Sequence, residues 1–416
     1  MTNYNPRLID EYLADVFAEL PAIMITGPRA CGKTTTARHL VPNLVDLSLP
    51  GVAQLFNEDP DGALARTEEP VTLDEWQEAP PVLGAIKRAV DLSFTPSRYL
   101  LTSSVTGQVT THSWPGTGRV VEVPLLPMTQ RELRGKLHSP LFVDRVLADD
   151  VTSSLATTET LSSAPSLTHY LDLALTGGFP QAAFATSNRQ RALWLRGYVD
   201  LLIGRDVAAT GVAPDSGRFR SYVAAIGLNT AGVIDASSLA DGIQVAPATV
   251  RRYDALLEAL YLLDLVPAWY SNRMTRLAKR PKRYLIDPSL MAPAADLDTE
   301  TILRDGGLYG RLLDTFVAAQ IRPELALSAN HPRLYHLRDQ DGRHEVDLVL
   351  EYSLGRVVGI EVKSASSVGR PDARHLEWMR DQLGDKFVAG VVLHSGPMAF
   401  MLSDRIAAAP ISTLWA

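Results

Sequence analysis

Gly27-Pro28-Arg29-Ala30-Cys31-Gly32-Lys33-Thr34 fits G-x-x-x-x-G-K-[ST] at every fixed position. Its flanks suit the pattern. Ala22-Ile23-Met24-Ile25-Thr26 reads as a short apolar strand, and Thr34-Thr35-Thr36-Ala37-Arg38-His39-Leu40 as the start of a helix. Gly27 and Gly32 let the backbone fold round a phosphate with its N–H groups turned inward. The helix behind the loop aims its positive end at the same anion. Gly27 to Thr35, with Pro28, Arg29, Ala30 and Cys31 between the glycines, is therefore the candidate nucleotide cradle. Lys33 would bring charge to the β- and γ-phosphates, and the Thr34 hydroxyl would reach a Mg²⁺ ion. The competing reading is a chance glycine-rich turn.

Working outward, Pro70-Val71-Thr72-Leu73-Asp74-Glu75-Trp76 is an apolar strand with two carboxylates at its C-terminal end. That is where an open parallel sheet places its ligands. Asp74 would hold the Mg²⁺, and Glu75 would polarise the attacking water as general base. A strand that merely ends in surface acids is the alternative. Residues 7 to 19 have the spacing of an amphipathic helix, 43 to 47 of a strand and 82 to 92 of a helix. Arg98 to Ser104 reads as a buried strand ending in hydroxyls, suited to a polar group near the γ-phosphate or to an ordinary strand end. Gly116-Thr117-Gly118-Arg119 leads into another strand. Arg119 is a candidate arginine finger, in its own or a neighbouring subunit, or else a solvated loop arginine. Strands alternating with helices predict a mostly parallel sheet covered on both faces.

The 416 residues exceed one compact domain, so two to four are expected. A net charge of −7 argues against coating of nucleic acid by the whole molecule, and leaves a local basic surface open. The single cysteine excludes a disulfide framework and a cysteine zinc site, which fits a reducing compartment. The N-terminal residues are polar, and no apolar run is long enough to span a bilayer. The expectation is a cytoplasmic protein with no membrane partner.

Residues 151 to 168 are rich in Ser, Thr and Ala and read as a loose insertion or linker. Gly177-Gly178-Phe179-Pro180 is a sharp turn, followed by a helix over 191 to 202. Arg205 and Asp206 would face the nucleotide or pair at that helix's end. Helices over 219–228, 236–240 and 247–263, then strands at 265–270 and 282–286, predict a winged helix. Arg251 and Arg252 would enter a major groove, and Arg273, Arg276, Lys279, Arg280, Lys282 and Arg283 would contact phosphates. Equally, this unit would pack against the first domain and never touch DNA. After a helix over 310–321, His344 to Glu351 alternates as a strand, with Glu345, Asp347 and Glu351 on one face. Val357 to Lys363 is a second strand, in which Glu361 and Lys363 share a face. A carboxylate from one strand and a Glu-x-Lys from its neighbour would bind one Mg²⁺, with the lysine activating water for phosphodiester attack. Charged residues on exposed strands are the plainer alternative.

Taken together, GPRACGKTT, VTLDEWQEAP, YLLTSS, GRVVEVPLLPMTQREL and TGGFP resemble the AAA-type ATPase superfamily. The likeness is to a bacterial and archaeal group with an AAA-like N-terminal domain and a C-terminal domain of unknown function, and it covers nearly the whole chain. One departure is Ser103-Ser104, where members of that group often have Gly-Ser. The C-terminal strand pair resembles the PD-(D/E)XK nuclease-like fold. That resemblance implies metal and lysine positions at Asp347, Glu361 and Lys363, with Asp314 where relatives usually carry Glu. The expected α/β architecture is a P-loop NTPase (AAA-like) parallel-sheet domain over 1–150, a linker and helical segment over 151–215, a winged-helix domain over 216–295 and a restriction-endonuclease-like domain over 296–416. The expected function is Mg²⁺-dependent ATP hydrolysis driving a switch linked to DNA. An ATP-gated DNA nuclease and a non-hydrolysing nucleotide-binding interaction protein are the alternatives. Relatives often form rings, and the sequence leaves the oligomer open.

Overall fold

Five strands with little polar character form the first sheet because both of its faces are covered by helices. In the computed structural model, which describes residues 4–105, 117–155, 165–206, 215–272, 275–276, 279–339 and 342–416, these are β1 (Ala22–Thr26), β2 (Leu44–Asp46), β3 (Val71–Asp74), β4 (Tyr99–Ser103) and β5 (Val121–Pro124). They run in the order β2-β3-β4-β1-β5, and every pairing is parallel. Every residue of β1, β3 and β4 is buried, as a sheet covered on both faces requires. Helix α1 (Asp10–Glu19) buries Leu13 and Phe17 on one side, with Ile23 and Ile25 of β1 in the same cluster. Helix α2 (Lys33–Leu40) follows β1 directly. On the other side α3 (Val82–Leu92) buries Val82, Leu83, Ala85, Ile86 and Val90.

The remainder is organised around one long helix. Helix α4 (Val151–Leu155) precedes α5 (Asn188–Leu201), α6 (Ser216–Leu228), α7 (Ala236–Ile243) and α8 (Pro247–Ala259). A hairpin of β6 (Leu263–Val266) and β7 (Lys282–Leu285) comes next, then α9 (Gly306–Leu325). The C-terminal sheet contains β8 (Arg333–Arg338), β9 (Glu345–Glu351), β10 (Val357–Lys363), β11 (Phe387–His394), β12 (Phe400–Ser403) and β13 (Ile406–Pro410), in the order β12-β13-β11-β10-β9-β8. β10, β11 and β13 are parallel to one another, and the outer pairings are antiparallel. Helix α9 buries Leu312, Leu313, Phe316, Val317 and Ile321 in a cluster that also holds Tyr222 of α6, Tyr253 of α8, Tyr284 of β7 and Val391 of β11. One continuous core therefore runs across the expected boundaries at 215/216 and 295/296.

Two expectations are corrected here. The start of the supposed loose linker, 151–155, is helical. Val151 and Leu155 are buried, and the Leu155 carbonyl accepts from Thr413 Oγ1 at 3.0 Å. Apolar residues hidden in a Ser/Thr-rich run decide that segment, while 156–164 lie outside the described residues. The helix expected to reach 263 ends at 259, because Tyr261 turns left-handed at φ +56° and β6 begins two residues later. Gly116, Arg273 and the side chains of Arg205 and Asp206 also lie outside the described set.

Candidate functional site

Three left-handed or extended turns shape the phosphate loop: Gly27 at φ +150°, Ala30 at +62° and Gly32 at +107°. A Cβ on Gly27 would lie 2.1 Å from the Leu125 carbonyl oxygen, so the loop packs on the end of β5 as closely as backbone allows. Gly32 then serves as the N-cap of α2, whose first-turn amides face the loop. Cys31 is fully buried, with its thiol 3.3 Å from the same Leu125 carbonyl. Lys33 is 4% exposed, and its ammonium donates to the carbonyls of Gly27 at 3.0 Å and Pro28 at 2.9 Å.

The expected partners across the sheet are brought to this loop. Thr34 Oγ1 lies 3.0 Å from both carboxylate oxygens of Asp74 at the end of β3. Asp74 also accepts from Thr102 Oγ1 of β4 at 2.6 Å. Burial raises the Asp74 pKa, and the Thr102 and Thr34 hydroxyls pull it back in part. Glu75 sits in the left-handed region at φ +54°, which ends the strand's alternation beside Asp74. Its amide donates to Thr102 Oγ1 at 3.0 Å, and its carboxylate accepts from Ser104 Oγ at 3.1 Å and from Gln77 Nε2. The hydroxyls at the end of β4 thus clamp both acids, a contact that 28 residues of separation hide from any local pattern.

Arg7 was not singled out by any motif. It is 5% exposed and lies behind the loop, donating to the Cys31 carbonyl at 3.0 Å and the Leu126 carbonyl at 2.6 Å, and pairing with Glu132 at 2.7 Å. Glu132 closes a capping box with Thr129. Tyr198 of α5 donates to the Arg29 carbonyl at 3.2 Å, so the middle helices reach the tip of the loop. Arg119 is elsewhere. Val121 pairs in register with Ile23, which puts Arg119 before the N-terminal end of β5, at the edge of the sheet away from the phosphate loop. There it pairs with Asp91 at 2.9 Å. A finger role within its own subunit is thereby corrected.

A second cluster lies in the C-terminal half. Asp314 of α9, Asp347 of β9 and Glu361 and Lys363 of β10 line one cleft of about 600 Å³, together with Arg311, Arg338 and His375. The β9–β10 ladder stops at Leu348–Ile360, and beyond it the Val362 amide donates to Asp347 Oδ2 at 3.0 Å. Lys363 pairs with Glu361 at 2.9 Å. Burial pushes Glu361 up to about 8 and Asp314 up to about 6. Burial also raises Asp347, but the Lys282 ammonium, the Val362 amide and the Lys363 charge together outweigh it and the net shift is downward.

Lys282 is where the expectation for the hairpin fails. Its ammonium is buried, 2.5 Å from Asp314 Oδ2 and 3.1 Å from Asp347 Oδ1. Arg283 pairs with Asp254 at 2.7 Å, Arg276 with Glu351 at 2.7 Å and Arg280 with Asp235 at 3.0 Å. Lys279 lies over the Tyr270 ring. These cations face partners inside the molecule, with Lys282 and Arg283 buried and Arg276 half-buried, so among the described residues the expected row of phosphate contacts is not formed. Arg251 and Arg252 remain exposed near the start of α8. Among the described residues no group of three His, Cys, Asp or Glu side chains has a metal-holding arrangement. No helix there is long and apolar enough to cross a membrane.

An AAA domain model matches residues 19–134, and two domains of unknown function, DUF8612 and DUF4143, match 167–301 and 309–414. Two uncharacterized proteins, Mb2031c of Mycobacterium bovis and Rv2008c of Mycobacterium tuberculosis, are each 30% identical over 398 residues, covering 94% of this chain and 80% of theirs. Among solved structures, the Walker-type ATPase PABY2304 of Pyrococcus abyssi is 14% identical, over 68% of this chain and 94% of its own, with a TM-score of 0.39. The Holliday junction branch migration motor RuvB of Thermotoga maritima is 13% identical, over 66% and 90%, with a TM-score of 0.27. At those scores the overlap is too loose to transfer function.

Proposed function

The chain belongs to the family of these two mycobacterial proteins, and we propose that it is a Mg²⁺-dependent ATPase whose nucleotide state sets the position of its middle and C-terminal units. One observation carries the reading: the hydroxyl of the phosphate-loop threonine, Thr34, meets the carboxylate of Asp74 across the sheet, with Glu75 next to it. The residues fit the triphosphate. Gly27 and Gly32, at φ +150° and +107°, allow the tight turn that a phosphate-wrapping loop needs, and Lys33 would exchange its two carbonyl partners for phosphate oxygens. Thr34 and Asp74 would hold Mg²⁺, which when bound supplies positive charge to the phosphates. Glu75 would take a proton from, or orient, the attacking water, its carboxylate steadied by Ser104 and Gln77. Arg119 would join the chemistry only if a second subunit presented it. Phosphate release by wild type and Lys33→Ala is the test, and equal inactivity of the two would refute hydrolysis.

The finer assignments are proposals of the same kind. Residues 216–295 are read as a winged helix because α6, α7 and α8 lead into the β6–β7 hairpin. Exposed Arg251 and Arg252 near the start of α8 make DNA the partner to try first. ATPase rates with and without single- and double-stranded DNA decide that point. Residues 296–416 are read as a restriction-endonuclease-like unit. A second reading, an ATP-gated nuclease, is favoured by the gathering of Asp314, Asp347, Glu361 and Lys363 in one cleft. It requires plasmid nicking with Mg²⁺ or Mn²⁺ that Asp347→Ala abolishes. A cytoplasmic location accords with a single, buried cysteine.

A further inference from the structure

The hairpin delivers a buried positive charge into a cleft that belongs to another part of the fold. Lys282 reaches Asp314 across 32 residues and Asp347 across 65. Three oxygens receive its ammonium: Asp314 Oδ2 at 2.5 Å, Asp347 Oδ1 at 3.1 Å and the Asp347 carbonyl at 3.3 Å. That satisfies the three donors of an ammonium group. The other carboxylate oxygens are also taken, Asp314 Oδ1 by the Tyr284 hydroxyl at 2.8 Å and Asp347 Oδ2 by the Val362 amide at 3.0 Å. One acceptor is left over. Glu361 Oε1 is buried with no hydrogen-bond partner, and Glu361, itself 3% exposed, lines the same cleft.

We propose that Lys282 is a built-in latch: its ammonium stands between Asp314 and Asp347 in place of a divalent cation, and it keeps metal out of this cleft for as long as the β6–β7 hairpin is docked. This rests on the second reading above for the character of the cleft, and on the ion-pair geometry for the exclusion. Two buried carboxylates need a compensating charge, because leaving either unpaired in low dielectric is costly. The chain supplies that charge from β7. A divalent ion in contact with the same oxygens would face an ammonium at hydrogen-bond distance, so the two cations exclude each other. Lys282 does not leave alone. Its neighbour Arg283 is tied to Asp254 of α8 by two contacts, 3.0 and 2.7 Å, and its amide donates to the Gly232 carbonyl at 2.9 Å. Opening the cleft therefore means moving the hairpin together with α8. The unsatisfied Glu361 oxygen marks what the closed form lacks: a partner that the ammonium, spent on the two aspartates, does not provide.

The test is Mn²⁺ binding to the full-length protein without nucleotide, followed by electron paramagnetic resonance. Wild type and Asp347→Asn should show the same weak background. Lys282→Met should gain one Mn²⁺ site at least about tenfold tighter than that background, and Lys282→Met with Asp347→Asn should lose it. Lys282→Gln, which keeps a hydrogen bond to Asp314, is the second variant if the methionine protein does not fold. A wild-type Mn²⁺ site that disappears in Asp347→Asn overturns the proposal, and so does a folded Lys282 variant that binds no more tightly than wild type. If neither variant folds, the comparison of wild type with Asp347→Asn decides. Failure of the nuclease reading is separate: a Lys282→Met protein that holds Mn²⁺ and still nicks no DNA sinks the nuclease and leaves the latch standing.

Discussion

Arg131→Met should be among the most damaging single changes away from the nucleotide. Arg131 Nη1 lies 2.7 Å from Glu324 Oε1, and the two side chains are 2% and 1% exposed. They join the end of the AAA domain to α9 across 193 residues. Glu324 Oε2 accepts from a neutral donor, the Val143 amide at 3.1 Å. Removing the guanidinium leaves a buried carboxylate without its ion-pair partner, with Arg145 the more distant cation still acting on it, a change that costs about 3–5 kcal/mol. Burial already pushes Glu324 up to about 7 with Arg131 present, and without Arg131 it rises further. A carboxyl with a raised folded pKa contributes stability below its unfolded pKa, and that contribution is lost as pH rises through the folded value. The cost of Arg131→Met is therefore greatest near about pH 8 and smaller near about pH 5.5, by about 1.4 kcal/mol for each unit that the pKa rises within that window. Urea unfolding followed by tryptophan fluorescence at both pH values measures it. Adding Glu324→Gln should recover about 2 kcal/mol, since the buried charge is then gone. Arg88→Ala breaks a pair whose side chains are 54% and 58% exposed, and as a control it should leave the transition where it was. A loss under about 1 kcal/mol for Arg131→Met at the higher pH, or a loss that does not change with pH, refutes the reasoning.

Glu75→Gln should still bind ATP but hydrolyse it on the order of 100-fold more slowly, because the amide cannot accept the water's proton; nucleotide binding by fluorescence beside phosphate release separates the two effects, and a loss of only a few-fold removes Glu75 as the base. Gly178→Ala puts a Cβ 2.0 Å from the Met128 carbonyl oxygen, where the Gly178 carbonyl accepts from the Met128 amide at 2.7 Å. It should lower stability by about 1–3 kcal/mol, and an unchanged thermal melt would contradict the close approach. Glu361→Gln tests the cleft. Burial holds wild-type Glu361 up at about 8, so wild type loses stability as pH rises from the ordinary carboxylate range to there. The glutamine variant lacks that decline, so its advantage in urea midpoint should grow across the window and level off above it. Parallel curves for the two proteins would mean that Glu361 ionises normally.

The geometry of the candidate nucleotide site was legible because its information is local. Gly27, Gly32, Lys33 and Thr34 take their proposed roles from spacing and from the strand and helix that flank them, and Asp74 and Glu75 from their place at a strand end. Partners far apart in sequence were not legible. Arg7 reaches Glu132 over 125 residues, and nothing near Arg7 marks it as the brace behind the loop. Lys282 and Arg283 looked like phosphate contacts because they stand in a cationic run. The carboxylates that claim them, Asp314, Asp347 and Asp254, lie on three other elements. Arg119 shows the opposite error. A glycine-rich approach suggested a catalytic loop, whereas strand register decides which edge of the sheet it occupies, and register is a property of the folded sheet.

The buried thiol of Cys31 has a practical corollary. It is the chain's single cysteine, and it packs beneath the cradle against the Leu125 carbonyl. A maleimide or disulfide reagent that marks Cys31 must therefore reach a thiol that the native loop buries. Labelling kinetics read out one backbone segment of the native molecule, with no engineered background and no second position to subtract.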